Sequence, residues 1–262
     1  MNVSEGRDAA VIAALRAAAG SDLLDLHADP HHHRTVFTLV GEDSPRRVAT
    51  EAIALVDLSM HSGAHPRLGA VDVVPFVPLA GAAMADALRA REAFAAWLAG
   101  QHDVPVFLYG PERSLPDVRR EAFRGLVPDV GPATPHPTAG ATCVGARPAL
   151  IAYNLWLTGI DLAGARGVAS AVRGPGLRAL GMQVGDDVQV SMNLVVPDDL
   201  GPAVAYDLVA EHLTGAASIA RAELVGLLPR SALDAIDPGR WAQLDVHPER
   251  TIEARLAARP AS

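Results

Sequence analysis

Between residues 126 and 141 the chain carries Pro128, Gly131, Pro132, Pro135, Pro137 and Gly140. No helix or strand tolerates that density of proline and glycine. The run therefore divides the sequence, and apolar periodicity stands on both sides of it. After it, the spacing predicts a strand over residues 148–157, a helix over 162–173, strands over 177–184 and 188–196, a helix over 203–215 and a strand over 223–228. As elements this is β-α-β-β-α-β, the ferredoxin-like unit. Before it, Ser4 is positioned to cap a helix over 7–19 that Gly20 stops. Strands over 23–28 and 34–40 follow, then a helix opening at Ser44-Pro45 with Val48, Ile53 and Val56 facing inward, and a strand over 70–79. A helix over 84–100, a strand over 104–109 and a helix over 116–126 complete this half. The halves match if one strand is missing ahead of Ser4. Either the true start lies upstream, or the N-terminal sheet lacks that strand. The expected fold class is α+β, with two ferredoxin-like subdomains over residues 1–146 and 147–262 and a ligand cleft or tunnel between them.

Half of the 262 residues are hydrophobic and a fifth are charged, a globular composition. The net charge of −8 argues against a general binder of nucleic acid or acidic membranes. An anionic substrate would have to meet a local group of arginines instead. The single cysteine, Cys143, makes no internal disulfide and reads as a buried structural thiol. No apolar run approaches the ~20 residues that span a bilayer, and the N-terminus shows no signal-peptide core. A soluble, cytoplasmic protein is expected.

The densest chemistry lies in HSGAHPRLGAVDVVPFVP, residues 61–78. His61 and His65 are four apart, a spacing that on a helix would suit a metal. Gly63 and Pro66 oppose a helix here, and Ser62 stands where a zincin needs Glu. The segment reads as a rigid loop presenting imidazoles for proton transfer. Arg67 follows as a two-pronged carboxylate clamp. Asp72, between Val71 and Val73, needs a buried partner. Orienting a histidine and capping loop amides are both open to it.

The turn HADPHHHR carries His27, His31, His32, His33 and Arg34. Consecutive histidines in an extended turn point different ways and make a poor metal shell, so no metal is expected. His31 and His32 read as a solvated hairpin, while His27 and Arg34 are candidates for a cleft. GPATPHPTAG lacks the Gly-Lys-Ser/Thr of a phosphate loop. It suits a wall against a flat ring, or a structural linker. QVSMNL places Gln189, Ser191 and Asn193 on one strand face.

The pattern H-x-G-x-H-P-R-x-G-A-x-D-V-x-P-F-x-P resembles the signature of the glutamate formiminotransferases. NVSEG, LLDLHADPHHHRTVFTLVG, PVFLYG, PDVGP, GATCVGAR, LIAYN, QVSMNL and ELVGLLP also resemble family segments, in family order across nearly the whole chain. The resemblance implies transfer of a formimino group from N-formimino-glutamate to tetrahydrofolate, a co-substrate, in histidine breakdown. It implies two α+β subdomains around a tunnel, usually in a homodimer, with no metal. His65 falls on the catalytic acid/base of the family. His27 stands where animal members carry an Asp that assists it, and Asp72 is a further catalytic candidate. The folate-flanking segment falls on Gly131, Pro132, Ala133, Thr134, Pro135, His136, Pro137, Thr138, Ala139 and Gly140. Arg67, Arg34, His61, Arg147 and Asn193 are candidates for holding the two anionic substrates. Ala64 replaces a common Glu, and His33 replaces the Asn ahead of Arg-Thr-Val. The family's first strand is absent, and Met1 occupies its proline position. These departures motivate two alternatives: a formyl transferase or deacylase linked to 5-formyl-tetrahydrofolate, and a folate-binding protein without turnover.

Overall fold

The computed structural model describes residues 1–61 and 67–259. The chain divides into two units, Met1–Pro148 and Ala149–Ser262. The first unit runs β1 (Asn2–Val3), α1 (Ala9–Ala19), β2 (Leu23–Asp29), β3 (Arg34–Leu39), α2 (Asp43–Leu55), β4 (Val71–Phe76), α3 (Met84–His102), β5 (Val106–Tyr109), α4 (Leu115–Glu121) and β6 (Thr142–Ala146). Its six strands form one mixed sheet in the order β2-β3-β1-β4-β6-β5, with β6 parallel to both β4 and β5.

Two expectations need correction here. The strand thought missing ahead of Ser4 is present as Asn2–Val3, which pairs with β3 on one side and β4 on the other. Ser4 does not cap the first helix. Asp8 does, accepting from the amides of Ala10 and Val11 at 2.8 and 3.1 Å. With β1 in place, the first four strands and two helices repeat the order β-α-β-β-α-β. The apolar stripes of α1, α2 and α3 supply one side of the core: Leu15, Val48, Ala52, Phe94 and Leu98 pack with Val3, Phe37, Val74, Val106 and Val144. Each large side chain so buried is worth ~1.5–3 kcal/mol.

A smaller cluster joins Val118 of α4 to Val73, Phe107, Tyr109 and Cys143. It explains a strand that the hydrophobic pattern does not reveal. β6 is fully buried but built of Thr, Cys, Val, Gly and Ala, with too little bulk to register as a strand. Register also breaks in β4. Asn2 pairs with Val73 and Val3 with Val71, which leaves Asp72 as the extra residue of a bulge. A bulge re-aims side chains, and accordingly Val71 packs with the helix-side core while Val73 packs with α4.

The second unit contains β7 (Ile151–Thr158), α5 (Leu162–Ala171), β8 (Leu177–Val184), β9 (Asp187–Leu194), α6 (Pro202–Glu211), β10 (Ser218–Val225) and three short helices, α7 (Arg230–Asp234), α8 (Trp241–Leu244) and α9 (Ile252–Ala257). Its antiparallel sheet has the order β10-β7-β9-β8. Alternation sends Ile151, Tyr153, Leu155, Val190, Met192 and Leu194 into one core with α5 and α6. Tyr153 is completely buried and its hydroxyl donates to the Leu244 carbonyl at 2.9 Å, tying α8 to the sheet.

Candidate active site

The first segment of chain explains itself in contacts. Ser4 is buried, donates from Oγ to the Gly69 carbonyl at 2.8 Å and from its amide to the Ala70 carbonyl at 2.8 Å. Glu5 Oε1 accepts from the amides of Gly6, Arg7 and Asp8 at 2.7–2.9 Å. A Cβ on Gly6 would lie 2.2 Å from the Asp29 carbonyl oxygen and 2.5 Å from the Arg34 nitrogen, so only glycine passes there. Residues 4–6 thus pin the β2–β3 turn and the segment Gly69–Ala70 ahead of β4 to one another.

Arg67 extends that link. Its guanidinium donates to the carbonyls of His33 and His32 at 3.1 and 3.0 Å. The same Nη1 stands 2.7 Å from Nδ1 of His61. The rings of His33 and His61 lie 3.8 Å apart between centroids, tilted by 32°. His33 sits at φ +51°, the left-handed region that asparagine enters more readily than histidine. Its Nδ1 accepts from the Gly6 amide at 3.2 Å. Both imidazoles are held neutral. Burial pushes His61 down to about 4, with Arg67 and His33 adding to the effect. Burial likewise lowers His33; Glu5 opposes this, and Arg7 and Arg67 reinforce it.

Asp72 projects from its bulge with no exposed surface. Oδ1 accepts the Leu68 amide at 2.8 Å. Oδ2 accepts from both Arg34 and Arg119, the latter at 2.6 Å. Burial alone would raise this carboxyl, but Arg119 and Arg34 outweigh it and hold Asp72 below the ordinary carboxylate range. Of the two roles open from sequence, loop capping is present, and two ion pairs accompany it. Arg34 is pushed down to about 10, first by burial, while Asp72 pulls it back.

The proline–glycine run closes against the same segment. Leu58 donates to the Thr138 carbonyl at 2.7 Å, Ala70 to the Ala139 carbonyl at 2.9 Å, and Ala141 to the Leu68 carbonyl at 2.9 Å. His136 Nδ1 accepts from the amide of Ala139 at 3.0 Å and shapes the turn. Gly140 adopts φ +67°, and a Cβ there would meet the Leu68 carbonyl oxygen at 2.2 Å. Residues 131–138 are largely exposed, and Ala139 and Gly140 are buried. The end of this loop and the segment Leu68–Ala70 ahead of β4 are therefore neighbours in one unit.

The remaining candidates divide. His65 and Ala64 lie outside the described residues. His27 pairs with Val36 and shares its sheet face with Arg34, two residues along β3, because the neighbouring pair Leu26 and Phe37 packs into the helix-side core. His32 is buried, contrary to the solvated reading, with its ring 4.0 Å from Asp29. His31 is exposed as expected. Arg147 lies just past the end of β6, four residues from Cys143, the partner of Val73, and so roughly 13 Å along the strand direction from it and away from Asp72. There it donates to the Pro148 carbonyl at 2.8 Å. Asn193 is exposed on β9 of the second unit, with Ser191 and the buried Gln189 on its face. On that face Glu223 accepts from Trp156 Nε1 at 2.9 Å and Asn154 at 3.1 Å, and Arg221 lies 4.0 Å over the Trp156 ring. Burial pushes the Cys143 thiol up to about 12, as befits a structural residue.

Arg119, His33 and Glu223 were missed by sequence reasoning. No spacing announces Arg119, which meets Asp72 from 47 residues away. His33 had a signal: it stands where the resembling family has Asn, which favours its left-handed backbone. Among the described residues no group of three His, Cys, Asp or Glu side chains gathers at metal distance, and no helix is long and apolar enough to cross a membrane.

An α+β scaffold thus gathers neutral imidazoles and several guanidiniums in one unit, a site suited to holding anions beside groups that exchange protons. Residues 1–147 match the formiminotransferase domain, N-terminal subdomain. The glutamate formimidoyltransferase of Streptococcus pyogenes serotype M1 is 34% identical, with 88% of each chain covered. That of Thermoplasma acidophilum is 32% identical, covering 100% of this chain and 97% of its own. The formimidoyltransferase-cyclodeaminase of Sus scrofa is 34% identical over 88% of this chain, which spans 50% of that longer protein. The chain belongs to the formiminotransferase family.

Proposed function

We propose that this protein is a glutamate formimidoyltransferase that moves the formimino group of N-formimino-L-glutamate to N5 of tetrahydrofolate, in histidine degradation. The observation that carries the reading is similarity along nearly the full length of two stand-alone proteins named for that activity. Folate N5 attacks the formimino carbon, forming a tetrahedral adduct. The N5 proton leaves to a base, the glutamate nitrogen gains a proton, and its bond to carbon breaks. Products are 5-formimino-tetrahydrofolate and glutamate. One imidazole performs both transfers in turn, and we assign that role to His65. Support comes from its flanks: His61 is held neutral, and Arg67, two residues after His65, is bonded to the β2–β3 turn.

In this reading residues 1–146 and 147–262 are the two subdomains, and each sheet carries a ferredoxin-like strand order. The turn at residues 131–140 flanks the folate ring. Arg34 and Arg67 serve the anionic substrates, and Asn193 is a further binding candidate. The enzyme works in the cytoplasm as a homodimer without a metal.

The test is direct. Purified protein with tetrahydrofolate and N-formimino-L-glutamate should form 5-formimino-tetrahydrofolate and glutamate in equal amounts. Absence of transfer would refute the reading, as would turnover confined to 5-formyl-tetrahydrofolate.

A further inference from the structure

Arg119 belongs to no motif in the sequence, yet it shares a buried counter-ion with Arg34. Both guanidiniums end on one atom, Asp72 Oδ2. Cations that meet at a single oxygen stand side by side, which is the arrangement a second carboxylate bridges. Asp72 has no exposed side-chain surface, whereas Arg34 and Arg119 keep 15% and 19% of theirs. The cluster therefore opens on its arginine side.

Charge points the same way. Arg119 and Arg67 both weigh against the charge on Arg34. Arg7 and Arg119 weigh against Arg67. An anion seated among these groups relieves that repulsion. The placement is also rigid: Val118, one residue before Arg119, is completely buried in the cluster with Phe107 and Tyr109. Finally, Asp72 ties the arginine pair to Leu68, three residues after His65 in the chain, since its other oxygen holds that amide.

We propose that Arg119 and Arg34 form a binding subsite for a glutamyl carboxylate, with Asp72 as their fixed buried anchor. This rests on the transferase reading above, which brings two glutamyl ligands to the protein: the donor and the tail of folate. The tie to Leu68 favours the donor, whose reacting nitrogen and α-carboxylate share one carbon.

Calorimetric titration tests this without turnover. The full chain is titrated at pH 7 with L-glutamate, and separately with folic acid and with pteroic acid, which lacks the glutamyl tail. Arg119→Met, Arg119→Lys and Arg89→Met are compared with the unaltered protein; Arg89 is 73% exposed and pairs with Asp86 on the surface. Arg119→Met should weaken L-glutamate by about tenfold or more, as loss of a charge-assisted pair implies. Arg119→Lys should fall between, and Arg89→Met should change nothing. Loss confined to the advantage of folic over pteroic acid would keep the subsite and assign it to the folate tail. Unchanged affinity for both ligands in either Arg119 variant would overturn the proposal, and so would an unaltered protein that binds neither. Should Arg119→Met fail to fold, Arg119→Lys carries the comparison. A protein that binds glutamate through Arg119 yet transfers no formimino group would sink the reaction and leave the subsite standing.

Discussion

Asp72→Asn tests the electrostatic centre of the first unit. The substitution keeps an oxygen for the Leu68 amide but removes the charge that Arg34 and Arg119 share. Breaking a buried ion pair from one side costs roughly 3–5 kcal/mol. Both arginines retain some contact with water, 15% and 19% of their side-chain surface, which draws the expectation toward the low end, about 3 kcal/mol. With a urea dependence of about 2 kcal/mol per molar, the midpoint for the first unit should fall by about 1.5 M at pH 7. The sign with pH follows from the lowered carboxyl. Asp72 is ionised in both folded and unfolded chains above the unfolded value of about 4, so the gap between the two proteins stays constant from pH 7 to 5. It closes as pH falls further, through the folded value. The assay is urea unfolding by fluorescence and circular dichroism at pH 7, 6 and 5. A midpoint shift below about 0.3 M would refute the reasoning, because it would correspond to well under 1 kcal/mol. A gap that narrows between pH 7 and 5 would refute it equally.

Other consequences follow from the same contacts. Gly140→Ala forces a side chain into a left-handed position 2.2 Å from the Leu68 carbonyl oxygen. It should cost at least ~2 kcal/mol in urea unfolding and weaken folate binding by calorimetry. His61 is held down to about 4, and His33 is lowered too. The unfolded chain therefore binds protons that the folded chain does not, and stability should decline as pH drops from about 6.5 toward 4. His61→Asn should flatten that slope, and an unchanged slope would show that the ring is not the cause. Cys143 should resist iodoacetamide at pH 8 in the folded protein and react once urea unfolds it, since burial pushes its thiol to about 12.

Much of the architecture is written in apolar periodicity. The first elements of the second unit follow the alternation of Ile151, Tyr153 and Leu155 and of Val188, Val190 and Met192 closely, whereas the strand expected over 223–228 runs instead over Ser218–Val225, where Arg221 and Glu223 interrupt the apolar pattern. Where the pattern failed, a local cause is visible. β6 lacks bulk, and β1 is two residues long and owes its place to Ser4 and to pairing on both sides. Asp72 reads from sequence as a buried carboxylate in need of a partner, and the bulge that aims it at Arg34 and Arg119 has no sequence signal. The site divides in the same way. His61, Arg67 and residues 131–140 stand out because their residue types and spacing are rare, and contacts in the fold join His61 to Arg67 and the end of the 131–140 run to Leu68–Ala70. Arg119 does not, because nothing local distinguishes a charged helix residue, and His33 is marked only by standing where the resembling family has Asn. Their roles come from pairing across the sheet and from a backbone angle.

The central claim is acid/base transfer by His65. The decisive measurement is single-turnover formation of 5-formimino-tetrahydrofolate by the unaltered protein and by His65→Gln, with binding of both substrates measured alongside. The account predicts a rate lower by roughly 10²–10⁴-fold, the usual worth of a general acid/base, with affinities within a few-fold. A variant that turns over at the original rate would contradict it.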